Sequence, residues 1–507
     1  MPEVMEPEER RQQAEVIDFL RGLSRDSGEG GEEIVTPTSR IFLAGDSAYK
    51  LKRARRLPFL DFTDPLTRRK TAEHEDLLNR RTAPRLYQGV LAVTRDDNGA
   101  LHLGGPGAPV DWIVHMRRFG QEMQGDRLAA RGQFTPLHAA RLGDAIAEFH
   151  RDLAPWFDHG GADALRRSLE PVVEALSHAP SPAIVEWGAA LATQLFDQIE
   201  RHRALLDRRR DAGFVRHCHG DLHLGNIAIV NDEPRPFDCI EFDDELAIVD
   251  MLYDAAFPVM DLLRYGLREA ASVLVNRYLA AMGDYEGTPL LPLYIGARAL
   301  IRTMSEGLNA REEAALAYLE VARQALQPTR PRLVAVGGLS GSGKSSVARA
   351  LAPGLDAAPG AILLRSDEIR KRLHGVAPED NLSEDAYRPA VTKQVFARMH
   401  EQARAVLNGG RSVILDATHM DPGQRQAVER LAADCGVPFA GLWFAAPPEV
   451  LIARVAKRSG DASDADAEVV RRQLKADLGD IQWRHIDAAR PLDAVVAESR
   501  ACLVRSS

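Results

Sequence analysis

The run Gly338-Leu339-Ser340-Gly341-Ser342-Gly343-Lys344-Ser345 follows almost directly on the apolar stretch Val334-Ala335-Val336 and leads into a helical pattern from Ser345 to Leu351. Strand, glycine-rich loop and helix in that order leave little choice of architecture. The glycines Gly338, Gly341 and Gly343 admit a tight backbone. Its N–H groups, with Ser340 and Ser342 between them, surround an anion at the helix N-terminus. Lys344 reaches the terminal phosphates of a nucleotide, and Ser345, with Ser346 beside it, lies where a magnesium ion would be held. Apolar runs at 333–336, 362–364, 412–415 and 439–444 alternate with helical stretches, the rhythm of a parallel sheet covered on both faces.

The residues around this loop narrow its chemistry. No Asn-Lys-x-Asp occurs to read a guanine base. Val413-Ile414-Leu415-Asp416 is followed by Ala417, where a hydrolytic ATPase would place Glu, so transfer to a bound hydroxyl is favoured over hydrolysis. Asp416 is the expected magnesium-side carboxylate. Asp367 ends the first strand after the phosphate loop as a candidate general base, and Arg370, one turn on, is a candidate for holding an acceptor's anion. Asp367 could equally cap its helix, and the two roles are compatible. Arg454 and Arg458 lie four apart ahead of the polar stretch Ser459 to Asp464, as a phosphate-clamping lid requires; a solvated basic face is the plain alternative.

A second signature stands in the middle of the chain. His219-x-Asp221-x-x-x-x-Asn226 puts a carboxylate and an amide on one loop, and Asp238 closes a short strand soon after. In kinase-type transfer, Asp221 would accept the proton of the attacking hydroxyl while Asn226 and Asp238 hold magnesium against the phosphates. A zinc site built on His217, His219, Asp221 and His223 is the rival. It is set aside because Leu222 separates Asp221 from His223 and no further histidine occurs before His374.

Composition sets the outer bounds. The chain has 507 residues, 45% of them apolar and 27% charged, as in a globular protein of several domains. A net charge of −9 gives no general attraction to nucleic acid or anionic membrane. There is no apolar run of membrane-spanning length and no apolar leader, and the four cysteines read as reduced thiols, so a cytoplasmic protein without a membrane partner is expected. Gln327-Pro328-Thr329-Arg330-Pro331 breaks the helical pattern and divides the chain into expected domains at 1–327 and 331–507.

The C-terminal part, residues 331–500, resembles small P-loop kinases, namely the gluconate-kinase-like group and the kinase domain of polynucleotide 5′-hydroxyl kinases. The segment Arg216 to Phe242 resembles the aminoglycoside-phosphotransferase-like branch of the protein-kinase fold. It looks especially like the bifunctional proteins that join such a domain to a P-loop kinase. The resemblance implies a two-lobed α+β kinase-like domain followed by an α/β doubly wound P-loop domain, with ATP and Mg²⁺ at both sites; GTP stays open. It also makes Asp221 the base, Asn226 and Asp238 metal ligands and His219 a support for the loop.

Such a small lobe must supply a phosphate lysine. Lys50 and Lys52 share a strand face. Lys50 is preferred, because it leaves Ala48 rather than a charge against adenine. Glu75, with Glu73 second, is its expected ion-pair partner, and Met116 to Phe119 the hinge below adenine. No glycine-rich loop precedes Lys50. The expected function is a bifunctional ATP-dependent phosphotransferase acting on small-molecule hydroxyls at two sites, in sequence on one substrate or separately. A P-loop kinase regulated by a nucleotide-sensing N-terminal domain and an RNA 5′-end kinase are the alternatives.

Overall fold

A two-residue turn at Gly45-Asp46, with Gly45 at φ 55°, folds Ser39–Ala44 back on Ser47–Lys52 in antiparallel register. These become strands β2 and β3 of a six-stranded sheet, with β1 (Glu33–Val35), β4 (Tyr87–Arg95), β5 (Leu101–Leu103) and β6 (Ala108–Arg117). The strand order is β1-β2-β3-β6-β4-β5. One face is covered by helix α1 (Pro7–Asp26), whose Val16, Ile17 and Leu20 meet Phe42, Leu51, Val93 and Ile113. Helix α2 (Pro65–Asn79) packs Ala72 with Tyr87, Val114 and Ala228. Asp64 caps α2 by accepting from the Leu66 and Thr67 N–H groups, and Pro65 occupies its first turn, where no donor is lost.

The structure is a computed structural model that describes residues 7–27, 32–57, 60–377, 379–457 and 463–505. The chain divides into two compact units. The first comprises residues 1–134, 148–160 and 210–254, the second residues 135–147, 161–209 and 255–507. In the first, three short antiparallel pairs accompany the large sheet, one of them joining Arg56–Leu57 to Leu60–Asp61. Strand β7 (Val215–His217) pairs with β10 (Ile248–Asp250), and β8 (Ile227–Val230) with β9 (Glu233–Pro236). The loops between them carry the His219–Asn226 and Asp238 signature.

The second unit holds a five-stranded, wholly parallel sheet. Its strands are β11 (Leu333–Gly337), β12 (Ile362–Arg365), β13 (Val413–Asp416), β14 (Phe439–Ala445) and β15 (Arg484–Asp487), in the order β12-β13-β11-β14-β15. Strands buried along their whole length, such as Val334 to Val336 and Val413 to Leu415, are the consequence of helices on both faces. Four of the five follow the apolar runs; β15 has burial at Ile486 alone and no such run.

The 327–331 break lies inside this second unit. The helices before it grip edge strand β12 directly. Asn276 accepts from the Leu363 N–H at 2.7 Å and donates to the Ala361 carbonyl at 3.3 Å, and Arg372 donates to the Ala280 carbonyl at 2.7 Å.

Candidate functional sites

In the first unit, β3 directs Lys50 and Lys52 to the same face, two residues apart. Lys50 Nζ lies 2.8 Å from Glu75 Oε1 and 2.5 Å from Asp238 Oδ1. Lys52 Nζ reaches Glu75 Oε2 at 2.5 Å and also pairs with Glu241. Both lysines are buried, Glu75 fully so. Burial works against the Lys50 charge, but Asp238, Glu75 and Glu241 outweigh it and raise its pKa. Burial likewise pushes the Glu75 carboxyl up, and Lys50 and Lys52 override it, bringing its pKa down to about 2. Glu75 is therefore charged at any physiological pH. Glu73, the second choice as partner, instead pairs with Arg69 on the exposed side of α2.

Asp238 is at φ 62°, a left-handed backbone that non-glycine residues rarely adopt. Such strain is characteristic of functional positions. Its N–H points to the Tyr87 hydroxyl at 3.3 Å, and the next N–H, of Cys239, donates to Asn79 Oδ1 at 2.9 Å. Asn226 donates from Nδ2 to the Asp221 carbonyl at 2.9 Å and to Asp221 Oδ2 at 3.0 Å. That leaves Oδ1 of Asn226 and the carboxylate of Asp238 as hard oxygen donors, the set that suits Mg²⁺. Asp221 keeps a side-chain exposure of 40%, open to an incoming hydroxyl.

The loop is held from behind. Asp254 accepts from the His219 N–H at 3.2 Å and the Gly220 N–H at 2.9 Å, and the buried His150 ring lies 3.2 Å from it. His219 is buried, which lowers its pKa, and its Nε2 faces the Phe237 carbonyl at 2.9 Å. Among the described residues the only metal-sized group of His, Cys and carboxylate atoms is His150, Cys218 and Asp254, so the rival zinc run does not converge. Met116 pairs across the sheet with both Ala48 and Tyr87 and lies one residue before the end of β6. Beyond it Phe119 meets Phe237 edge-on at 5.3 Å. Motif reading missed Tyr87, Glu241 and the Phe119–Phe237 pair, which no local spacing announces.

In the second unit the glycine-rich loop joins β11 to the helix Lys344–Leu351. Gly338 has φ 142° and Gly341 φ 84°; a Cβ would lie 2.4 Å from the Phe444 carbonyl oxygen at the first and 2.5 Å from that of Leu451 at the second. Only glycine satisfies both conformation and space. A cavity of about 440 Å³ lies over the loop, lined by residues 341–347 together with Arg454 and Lys457. The Arg454 guanidinium comes within 3.8 Å of where a Gly343 Cβ would stand. Arg458 and the stretch Ser459–Ala462 lie outside the described residues. The Ser340 N–H is taken by Gln473 Oε1 at 2.8 Å, a contact far from any motif.

Strands β12 and β13 end side by side, Arg365 opposite Asp416. Arg365 Nε donates to Asp416 Oδ2 at 3.1 Å, while Asp416 Oδ1 is buried with no hydrogen-bond partner among the described residues. A buried carboxylate oxygen of that kind fits a magnesium ligand. Asp367 opens the helix Ser366–Leu373. Part of its surface remains open, yet the packing around the carboxyl raises its pKa against the pull of Lys344 and Arg365. Arg370 is buried. Its Nη1 donates to the Ala386 carbonyl at 2.6 Å and Thr392 Oγ1 at 3.3 Å, and the guanidinium lies over Tyr387 at 4.7 Å.

A family model described as an AAA domain matches residues 333–477. The uncharacterized protein Rv2004c of Mycobacterium tuberculosis (strain ATCC 25618 / H37Rv) is 30% identical over 485 residues, 92% of this chain and 93% of its own length. The adenylyl-sulfate kinase of Myxococcus xanthus (strain DK1622) is 36% identical over 123 residues, 24% of this chain and 60% of that protein. Among solved structures, the GDP complex of aminoglycoside 2′-phosphotransferase-IIIa covers 61% of this chain and 97% of its own at 16% identity, with a TM-score of 0.38.

Proposed function

This chain belongs to the family of the Mycobacterium tuberculosis protein Rv2004c, which it matches along nearly its whole length, and on that premise we propose a bifunctional ATP-dependent phosphotransferase with one site in each unit. The C-terminal region is a kinase domain of the P-loop type. For the first site, the observation that carries the proposal is the charge network of Lys50, Lys52, Glu75, Asp238 and Glu241, whose side chains are all buried but that of the half-exposed Asp238. Burying so many charges is expensive and adds little stability over apolar packing. A phosphate-binding role accounts for it.

At the first site Lys50, steadied by Glu75, holds nucleotide phosphates. Asp221 orients the acceptor hydroxyl and takes its proton. Asn226 positions Asp221, and with Asp238 it would hold Mg²⁺. At the second site the loop N–H groups of residues 338–345 and Lys344 hold the phosphates, Arg454 approaches them from the lid side, and Asp367 takes the acceptor's proton. Ser345 and Asp416 would hold Mg²⁺ there. At each site the ion would neutralise phosphate charge. The domains implied are 1–327 and 331–507, with small-molecule hydroxyls as acceptors, and two kinases on one chain suit consecutive phosphorylation of one metabolite. Among the described residues no helix is long and apolar enough to cross a membrane.

Titration with a fluorescent ATP analogue tests the two-site premise. Two nucleotides per chain are expected for the wild type and one for Lys344→Ala. A wild type that binds one nucleotide would sink it.

A further inference from the structure

A cavity of about 580 Å³ lies at the amino end of β11, lined by four arginines. Arg268 opens the helix Arg268–Met282, and Arg323 sits in the last turn of the helix Glu312–Ala325. Arg330 and Arg332 belong to the stretch that leads into β11. None of them takes part in either proposed kinase site. The volume is that of a pocket for a small organic ligand.

Two of the four guanidiniums are unengaged. Arg268 and Arg330 are exposed, and their side chains make no hydrogen bond or ion pair among the described residues. Arg323 is held by Glu320 through two contacts of 2.6 Å, and Arg332 donates to the Leu503 carbonyl at 2.9 Å. One carboxylate, Asp356, lines the same cavity, and its charge is already met from within the fold. It accepts from the Ala357 N–H at 2.9 Å and the Ser412 N–H at 2.8 Å, and Arg411 Nε stands 3.7 Å away. Arg411 also donates to the carbonyls of Ala357 and Gly360, at 2.9 and 2.7 Å, so this wall is fixed before a ligand arrives. The lining is left with unmatched positive charge.

The cavity is separate from the phosphate loop. Thr329 Oγ1 donates to the Gly410 carbonyl at 2.7 Å and the Arg332 N–H to Ser412 Oγ at 3.1 Å, which sets this wall at the starts of β11 and β13. The phosphate loop leaves the other end of β11, five residues on, or roughly 17 Å at the usual rise of a strand. Lys344, Asp367 and Asp416 lie at that carboxyl end, where the ligands of such sheets react. A molecule in the arginine cavity is out of reach of a phosphate transferred there.

We propose that this cavity is a further binding site, for a phosphorylated small molecule whose phosphate is held by Arg268 and Arg330. The proposal goes beyond the kinase reading and does not depend on it. A tetrahedral phosphate offers oxygens in several directions and takes guanidiniums from two segments at once, whereas a planar carboxylate is matched by a single fork. A nucleic acid would need a longer basic track, and the net charge of −9 opposes one. The Gln327 amide and the remaining volume accommodate the rest of the molecule.

The test is calorimetric titration of the full chain carrying Lys344→Ala with inorganic pyrophosphate, without added metal. One binding step should persist in that variant. Adding Arg268→Ala and Arg330→Ala should weaken this step at least tenfold, as loss of charge-assisted hydrogen bonds does, by about 1.4 kcal/mol per factor of ten. Adding Arg268→Lys and Arg330→Lys keeps the charge without the fork and should weaken it about threefold or more. Citrate should bind more weakly than pyrophosphate. With Lys344 in place, a fluorescent ADP analogue should bind the alanine pair within about twofold of wild type, because distant sites act independently. The proposal is overturned if no pyrophosphate step persists, or if the alanine pair leaves it unchanged. Full retention in the lysine pair overturns it as well, since a general field of charge would give that, and so does tighter binding of citrate. Loss of the ADP analogue from the alanine pair would mean that the arginines support the fold, and would also overturn it.

Discussion

Lys50 and Asp238 are 188 positions apart in sequence, yet Lys50 Nζ stands 2.5 Å from Asp238 Oδ1. A lysine on a strand of the large sheet and a strained aspartate after β9 thus meet at one point, with Glu75 completing the triangle. In the proposed mechanism this contact is the resting arrangement of a phosphate site, from which Lys50 turns to nucleotide.

Glu75→Gln should damage stability and activity together. It leaves Lys50 and Lys52 buried with less opposing charge, a loss of about 3–5 kcal/mol by analogy with other broken buried pairs. Chemical denaturation should show it, and the Asp221-dependent product should fall at least tenfold. An unchanged unfolding midpoint would contradict the buried-network description.

Acid should erase that difference. The folded pKa of Glu75 is lowered, from an ordinary 4.5 to about 2. Its contribution is therefore fully present above about pH 4.5 and is lost as pH falls toward 2. Unfolding midpoints of wild type and Glu75→Gln should converge over that window.

Asp367 predicts the opposite sign. Its folded pKa is raised, so its charged form costs stability as pH rises above the ordinary carboxylate range. Asp367→Asn should melt at a higher temperature than wild type at neutral pH and lose that advantage in acid. The same substitution should reduce the Lys344-dependent product by about a hundredfold or more, as removal of a general base does. The wild-type rate for that product should fall away on the acid side above the usual carboxylate range.

Much of this was visible in the sequence, and the remainder follows a physical pattern. Asp64-Pro65 marks the start of its helix because capping is local, and the glycine-rich loop is legible because strand, loop and helix are contiguous. Lys50 and Glu75 could be paired on paper since strand and helix periodicity each limit the choice. Glu241 beside Lys52, Gln473 on the Ser340 N–H, and His419 between Phe396 and Trp483 could not. Each is brought in by a distant segment with no spacing of its own. Strand β15 was overlooked for a related reason: an edge strand with one buried side chain carries almost no periodic signal.

Asp254→Ala should separate positioning from chemistry. Without it the N–H groups of His219 and Gly220 lose their acceptor, and the loop carrying Asp221 loses its anchor. The Asp221-dependent product should drop at least tenfold while the Lys344-dependent product is kept. Loss of both would mean that Asp254 supports the whole chain rather than one loop.

The most direct measurement is transfer of label from γ-labelled ATP into a metabolite extract by wild type, Asp221→Ala and Lys344→Ala. Two kinase sites predict that each variant loses a labelled product, and consecutive action predicts that a singly phosphorylated species accumulates in one of them. If Asp221→Ala leaves every product intact, the first site senses nucleotide without transferring phosphate, and the two-kinase reading is wrong.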